Sequence, residues 1–314
     1  MKTYEKIFCQ LSETKGFVTG EELGSHCQLS RTAIWKAIQK LEQFDVKIQS
    51  QKKRGYRLLF GDLLIPEMIE KQTGVPVILN HNSLSTQLDA KIGIQEGQKA
   101  PRLYLASNQK EAKGRFGRSF HASSGGIYMS LHIQPHVATD KQPAYTMMIA
   151  SAIVKAISRL TGIETQIKWV NDIYLGQKKI AGILTEAISS VETGMITDVI
   201  IGIGINFNIK EMPKELENKA TSLFSEEPSI TRNQLIVEIL KLFLTTPETD
   251  LIKVYKDKSF ILDKQITFLE DGKTYQGVAE DITDNGALIV QLDNGKTKTL
   301  LGGDISLSSW EMRS

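Results

Sequence analysis

Four cations, Lys110, Lys113, Arg115 and Arg118, fall within the ten residues Gln109-Lys-Glu-Ala-Lys-Gly-Arg-Phe-Gly-Arg118. Gly114 and Gly117 sit among them, and glycine lets a backbone turn sharply and come close to a ligand. Such a stretch suits an anion held partly by the main chain. It is not a Walker-type phosphate loop, because no Gly-Lys-[Ser/Thr] closes it. Nor is it a dinucleotide fingerprint, because no helix follows to point its N-terminus at a pyrophosphate. Read alone it is first a solvated basic loop, and other stretches shift that reading.

A second chemical cluster is Gln166-Ile-Lys-Trp-Val-Asn-Asp-Ile-Tyr-Leu175, followed by Lys179-Ile-Ala-Gly-Ile-Leu-Thr-Glu186. Lys168, Asp172 and Lys179 fall at strand ends around one turn. Ile180-Ala-Gly182 makes a small-residue wall on which a flat or bicyclic ligand could rest. Beyond it, Asp198-Val-Ile-Ile-Gly-Ile-Gly-Ile-Asn-Phe-Asn208 carries glycines inside a strand, which lets a ligand lie close to the backbone. Several cations and one carboxylate near such a sheet suit an anionic nucleotide and an anionic co-substrate, with Asp172 placing a metal or a lysine. Plainer readings stay open: Lys168 and Asp172 as a surface pair, Asn206 as a buried amide serving a turn. Ser85 and Thr86, at a strand-to-helix junction, could cap the helix or bind a polar ligand, and on their own capping is the stronger reading. His132 and His136 are no zinc pair, because Pro135 between them would break any helix. No Gly-x-Ser-x-Gly elbow is present, which argues against a serine hydrolase.

The elements that must position these groups read as an α+β chain. Arg102-Leu-Tyr-Leu-Ala106 and Ile127–Ile133 are strands on either side of the basic loop. Val75–Leu79 is another strand, and Ile65–Lys71 a short helix. Met147, Ala150, Ile153, Val154, Ile157 and Leu160 share one face of a buried helix over Thr146–Leu160. Residues 234–244 and 250–259 read as two more helices. Near the end, Gln265–Leu269, Tyr275–Ile282, Ala287–Leu292 and Thr297–Leu301 read as four short strands joined by Asp271-Gly, Asn285-Gly and Asn294-Gly turns. They predict a small barrel that covers a site rather than holding one.

Residues 1–60 carry eleven Lys/Arg against six Asp/Glu, while the whole chain is only +2. A basic head on a slightly acidic body points to nucleic acid as the partner of the head. Tyr4, Ile7, Phe8 and Leu11 recur at helical spacing, Glu21–His26 is a short second helix, and Ser30 is placed to cap a third. In that third helix Ala33, Ile34, Ala37, Ile38 and Leu41 form the apolar stripe; Arg31, Thr32, Trp35, Lys36 and Gln39 form the other face. Two strands then flank Gln51-Lys-Lys-Arg-Gly55. This is a winged helix-turn-helix pattern. Its candidate DNA contacts are Ser30, Arg31, Thr32, Trp35, Lys36, Lys52, Lys53 and Arg54. A three-helix module for protein contacts is the plainer alternative, and Trp35 could equally stack on a neighbouring helix.

At 314 residues two or three domains are expected. The longest apolar run, Val199–Ile205, is far too short to span a bilayer, and no export signal is visible. The only cysteines, Cys9 and Cys27, read as reduced thiols of a cytoplasmic protein.

Taken in order, Ser85-Thr86, Gln109…Lys113-Gly-Arg-Phe-Gly-Arg118, Lys168-Trp-Val-Asn-Asp172 with Lys179-Ile-Ala-Gly-Ile-Leu184, and Gly202-Ile-Gly-Ile-Asn206 carry a resemblance. With the winged helix before them and Gly302-Gly-Asp-Ile-Ser-Leu307 after, the whole chain resembles the bifunctional biotin protein ligases that also repress the biotin operon. The resemblance implies a winged helix over 1–62, a mixed-sheet ligase domain of the class II synthetase and biotin ligase type over 63–262, and an SH3-like barrel over 263–314. It implies that biotin and Mg-ATP give biotinyl-5′-adenylate and pyrophosphate. Biotin then passes to a lysine of a biotin carboxyl carrier domain. It also implies that biotin acts as corepressor, with the adenylate-bound homodimer binding operator DNA.

By the same resemblance Lys179, Arg115 and Asp172 form the catalytic set. Ser85, Thr86, Gln87, Gln109, Lys113, Gly114, Arg115, Lys179 and Gly182 surround biotin. Arg115, Arg118, Trp169, Asn171 and Asn206 surround the nucleotide, with Trp169 facing adenine and Asn206 bonding its edge. The chain departs from the family pattern at Lys113 for Arg, Val170 for Pro and Gln87 for Asn. Two alternatives are a ligand-sensing regulator with a decayed ligase domain and a ligase for another carboxylate such as lipoate. The retained Lys179 and Gly114 loop oppose the first; the winged helix and the Lys179-Ile-Ala-Gly run favour biotin over the second.

Overall fold

A computed structural model describes residues 1–14, 16–44 and 46–307. Contacts divide the chain into two compact units, one of Met1–Val77 with Glu226–Val237, the other of Ile78–Ser225 with the chain from Glu238 onward.

The first unit opens with α1 (Thr3–Glu13), α2 (Gly20–Cys27) and α3 (Arg31–Glu42), followed by β1 (Lys47–Gln51), β2 (Gly55–Phe60) and α4 (Pro66–Thr73). Each start has a local cause. At α2 the Thr19 hydroxyl accepts the Glu22 N–H at 3.1 Å while the Glu22 carboxylate accepts the Thr19 N–H at 2.7 Å, a reciprocal capping box. At α3 the Ser30 hydroxyl accepts the Ala33 N–H at 3.2 Å, as its side-chain type predicts. At α4 Pro66 takes the first helical position, where a missing N–H costs nothing. Ile34, Ala37, Ile38 and Leu41 face inward against Ile7, Phe8 and Leu11. Burying each of the larger ones stabilises the unit by roughly 1.5–3 kcal/mol. Val18 exchanges two backbone hydrogen bonds with Tyr56, both 2.8 Å, so the α1–α2 connection adds a rung to the β1–β2 hairpin. A distant segment ties in through Arg232, whose Nε lies 2.7 Å from Asp62 Oδ2, and Asn233, which accepts the Ile65 N–H at 2.9 Å.

The second unit is built on one large sheet. Its strands are β3 (Val77–Leu79), β4 (Arg102–Ala106), β5 (Ile127–Ile133), β6 (Val137–Ala138), β7 (Gln166–Lys168), β8 (Asp172–Leu175), β9 (Lys178–Ser189) and β10 (Met195–Ile205). The spatial order is β3-β4-β5-β10-β9-β8-β7, with β6 on β10. The helices are α5 (Thr86–Gln95), α6 (Tyr145–Thr161), the part of α7 (Arg232–Thr245) from Glu238 onward, and α8 (Glu248–Lys258). Helix α6 is buried on most of its surface, and Ser151 on it donates to the Leu251 carbonyl of α8 at 2.6 Å. β5 and β10 are apolar almost throughout, as expected for strands covered on both faces. His132, fully buried on β5, sits 2.8 Å from Asp198 Oδ1, which also accepts from Gln134 at 2.9 Å. Burial pushes the Asp198 carboxyl up, but these hydrogen bonds outweigh it and hold the group below the usual range. His132 is thus a structural partner on a strand.

The C-terminal strands are β11 (Gln265–Glu270), β12 (Lys273–Ile282), β13 (Leu288–Leu292), β14 (Thr297–Leu300) and β15 (Ile305–Leu307). They pair antiparallel in the order β14-β13-β12-β11-β15. This corrects the expected four strands to five. Ile305–Leu307 is too short to announce itself, and it is recruited by β11 through three residue pairs. Among the described residues, no helix is long and apolar enough to cross a membrane.

Candidate functional site

The basic loop folds as a closed hairpin. Phe120 N–H bonds the Ala112 carbonyl at 2.9 Å and Gly114 N–H bonds the Arg118 carbonyl at 2.8 Å, while Arg115–Gly117 make a single helical turn at the tip. Phe116 stands 70% exposed there, with the Arg115 and Arg118 guanidinium groups 5.1 and 5.7 Å from its ring. Behind the hairpin lies a cleft of about 210 Å³. Every residue assigned to biotin by the resemblance lines it: Ser85, Thr86, Gln87, Gln109, Lys113, Gly114, Arg115, Lys179 and Gly182. Arg118, Asn171 and Asp172 line it too.

The start of α5 forms the floor. Ser85 is the cap residue by position, but its hydroxyl makes no capping bond, so the capping reading of Ser85 and Thr86 is corrected. The Thr86 N–H is taken instead by Gln109 Oε1 at 2.5 Å. Thr86 Oγ1 lies 2.9 Å from the buried Ser130 hydroxyl of β5.

The charged wall comes from β8 and β9, where Lys179 Nζ lies 2.7 Å from Asp172 Oδ1. The distance makes a half-buried ion pair. Lys168 pairs with Asp172 in the β7–β8 register but does not line the cleft. Burial holds its ammonium below the usual lysine range, against the raising pull of Asp172 and Asp304. Arg115 Nη1 is 3.3 Å from both Asn171 Oδ1 and the Gly303 carbonyl, and Arg118 pairs with Asp304.

Two assigned nucleotide residues are not brought to the cleft. Trp169 is buried, and its indole N–H donates to the Gly286 carbonyl at 2.9 Å, so it is committed to the C-terminal strands' turn. Asn206 donates to the Thr221 carbonyl at 3.2 Å, which is the plainer reading of a buried amide serving the chain. Val170 in place of Pro leaves its turn well held: Tyr255 donates to the Val170 carbonyl at 2.9 Å and Asn171 Nδ2 to the Ile183 carbonyl at 2.8 Å.

Several lining residues escaped the sequence reading, notably Ser130, Phe120 and Asp304. A serine inside the apolar run Ile127–Ile133 was the available signal for Ser130. The strand glycines were expected to admit a ligand; they also admit the chain's own side chains. A Cβ at Gly202 would lie 2.5 Å from Gln87 Oε1, and one at Gly204 would lie 2.6 Å from the Phe120 ring.

The winged-helix unit carries its own exposed set of polar and basic side chains. Arg31, Thr32, Trp35, Lys36 and Gln39 are exposed on α3, Trp35 to 52%. Ser30 is also exposed, with its hydroxyl engaged as the cap. Lys52, Lys53 and Arg54 are exposed at the hairpin tip. Phe17 and Arg57 were not assigned, yet Arg54 and Arg57 stack on the Phe17 ring at 4.4 and 5.2 Å. Replacing Lys52, Lys53 and Arg54 together by Ala is expected to weaken binding to all duplex sequences alike. The log–log salt slope should flatten by about 2–3, as three lost phosphate contacts require. Fluorescence anisotropy across a salt series checks this, and an unchanged slope would remove the wing from the interface.

Family comparisons follow the same order along the chain. An HTH domain matches residues 4–57, the Biotin/lipoate A/B protein ligase family matches 82–206, and the Biotin protein ligase C terminal domain matches 261–308. The class is therefore a protein ligase of the biotin type joined to a helix-turn-helix module. Bifunctional ligase/repressor BirA of Bacillus subtilis (strain 168) is 31% identical over 324 residues, spanning 97% of this chain and 99% of the relative. BirA of Escherichia coli (strain K12) is 27% identical over 312 residues, spanning 94% of each chain. The chain belongs to this family of bifunctional biotin ligase/repressors. A solved biotin protein ligase from Aquifex aeolicus, in complex with biotin and ATP, shares the fold with a TM-score of 0.62 at 23% identity, covering 74% of this chain and 97% of that one.

Proposed function

We propose that this chain joins biotin to AMP, using Mg-ATP, and passes biotin to a lysine of a carboxyl carrier domain. The adenylate-bound form then pairs with a second copy and represses through its winged helix. The observation that carries the ligase reading is the convergence of Lys113, Arg115, Arg118 and Lys179 on one cleft whose floor is made of neutral hydrogen-bonding groups.

The chemistry needs that arrangement. A biotin carboxylate must approach a polyphosphate, and two like charges about 4 Å apart repel by roughly 4 kcal/mol at an effective dielectric near 20. Cations offset this only if they are already in place. Lys179 holds the carboxylate and meets the charge that grows as its oxygen attacks the α-phosphorus and pyrophosphate leaves. Arg115 and Arg118 exchange their present partners, Asn171, the Gly303 carbonyl and Asp304, for phosphate oxygens. The hairpin then excludes water from the mixed anhydride until an acceptor lysine attacks its carbonyl and AMP leaves.

Mg²⁺ enters with the nucleotide. Asp172 and Asp304 are the lining carboxylates, which fits an ion held by one or two carboxylates plus phosphates. Bound there, it would neutralise phosphate charge. In this reading residues 1–62 bind DNA, 63–262 carry the chemistry, and 263–314 supply Gly303 and Asp304 to the hairpin.

Biotin-dependent release of pyrophosphate from Mg-ATP, with the full chain and no acceptor, tests the proposal. About one equivalent with the adenylate retained is the expected result. Release with lipoate but not biotin would transfer the site to the other carboxylate, and release with neither would leave a sensing regulator.

A further inference from the structure

A chain of hydrogen bonds runs beneath the cleft floor, and its direction is determined. Gln87 Nε2 faces three acceptors: Glu186 Oε2 at 2.9 Å and the Leu184 and Ile200 carbonyls at 3.3 Å. Lys91 holds the other Glu186 oxygen at 2.9 Å. A reversed amide would turn its oxygen against a carboxylate and two carbonyls, so Oε1 must point the other way, into space that Gly202 leaves open. There it accepts from the Ser130 hydroxyl at 2.9 Å. A hydroxyl has one proton, so Ser130 can only accept from Thr86, 2.9 Å away, and the Thr86 proton is committed as well. What Thr86 can then offer the cleft is lone pairs alone.

We propose that Gln87 is a positioning residue that fixes the hydrogen-bond polarity of this floor. The floor accepts from a ligand N–H and rejects a ligand that presents an acceptor, or nothing polar, in its place. The inference rests on the biotin reading and deepens it: a cyclic urea supplies ring N–H donors, whereas the dithiolane of lipoate supplies none. Thr86 and Ser130 are buried, at 4% and 0% exposure, so water cannot readily substitute for the missing donor.

Calorimetry on the full chain tests this with biotin and its two cyclic carbamate analogues, each with one ring N–H replaced by oxygen. The parent chain is expected to bind one carbamate at least about 100-fold more weakly than biotin. Ser130→Ala frees the Thr86 proton to turn toward a ligand oxygen, and is expected to narrow that gap to within about 10-fold. Gln87→Met removes the acceptor that orients Ser130 and is expected to narrow it likewise. A purely structural role would lower both affinities together and leave their ratio unchanged. A parent chain that binds both carbamates as tightly as biotin, or variants that keep the full gap, would overturn the proposal while leaving the biotin reading intact. Absence of biotin binding by the parent chain would defeat that reading and this one with it.

Discussion

Lys179→Ala is expected to reduce adenylate formation by at least about 100-fold, toward 1,000-fold, the range seen when one preorganised charge-stabilising donor is lost. Lys179 is the cleft cation that the strands hold nearest the lining carboxylate Asp172, with Nζ 2.7 Å away. Its backbone is fixed independently of its side chain, because its N–H bonds the Lys219 carbonyl at 2.9 Å and its carbonyl takes the Thr221 N–H at 3.0 Å. The side chain is also partly exposed, at 30%, so truncation opens no buried cavity. The variant should therefore keep its melting temperature and circular dichroism while losing biotin-dependent pyrophosphate release. Turnover within threefold of the parent chain would take the developing charge away from Lys179.

Arg115→Gly carries the second large effect, on retention rather than on formation of the adenylate. Arg115 reaches across the cleft from the hairpin tip to Asn171 on one side and the Gly303 carbonyl on the other. Charge-assisted hydrogen bonds contribute about 1.5–3 kcal/mol each, and losing one speeds escape by about 10–100-fold. Free biotinyl-adenylate acylates any accessible amine. Labelling of bystander lysines, measured by streptavidin blot of an added unrelated protein, should rise accordingly. Labelling no higher than with the parent chain would show that the hairpin retains the intermediate without Arg115.

The parts of this molecule legible in its sequence are those whose causes are local. Ser30 capping α3, the apolar stripe of Ile34, Ala37, Ile38 and Leu41, and the exposed basic tip at Lys52–Arg54 all depend on neighbours a few residues away. The basic stretch was legible as a loop because strands flank it on both sides; its closure as a hairpin rests on the Phe120–Ala112 and Gly114–Arg118 backbone bonds. What stayed hidden was decided by partners far along the chain. Trp169, beside a broken strand, fits a nucleotide face as well as a core; its place is set by the Gly286 carbonyl, 117 residues later. Ser130 acquires its role only when β5, α5 and β9 meet, bringing Gln87 and Glu186 to it. Gly202 and Gly204 announce close approach but not by what, and the answer includes Gln87 and Phe120.

The hairpin cations lean on Gly303 and Asp304, which follow the cleft-floor residues by about a hundred positions along the chain. During synthesis the cleft floor, made by residues 85–204, emerges and can fold well before those two residues leave the ribosome. A nascent chain would thus hold a floor without the partners that hold its cover closed. Retention of a reactive intermediate becomes a property of chains that extend past residue 304, and chains interrupted before residue 303 would be poor at keeping one.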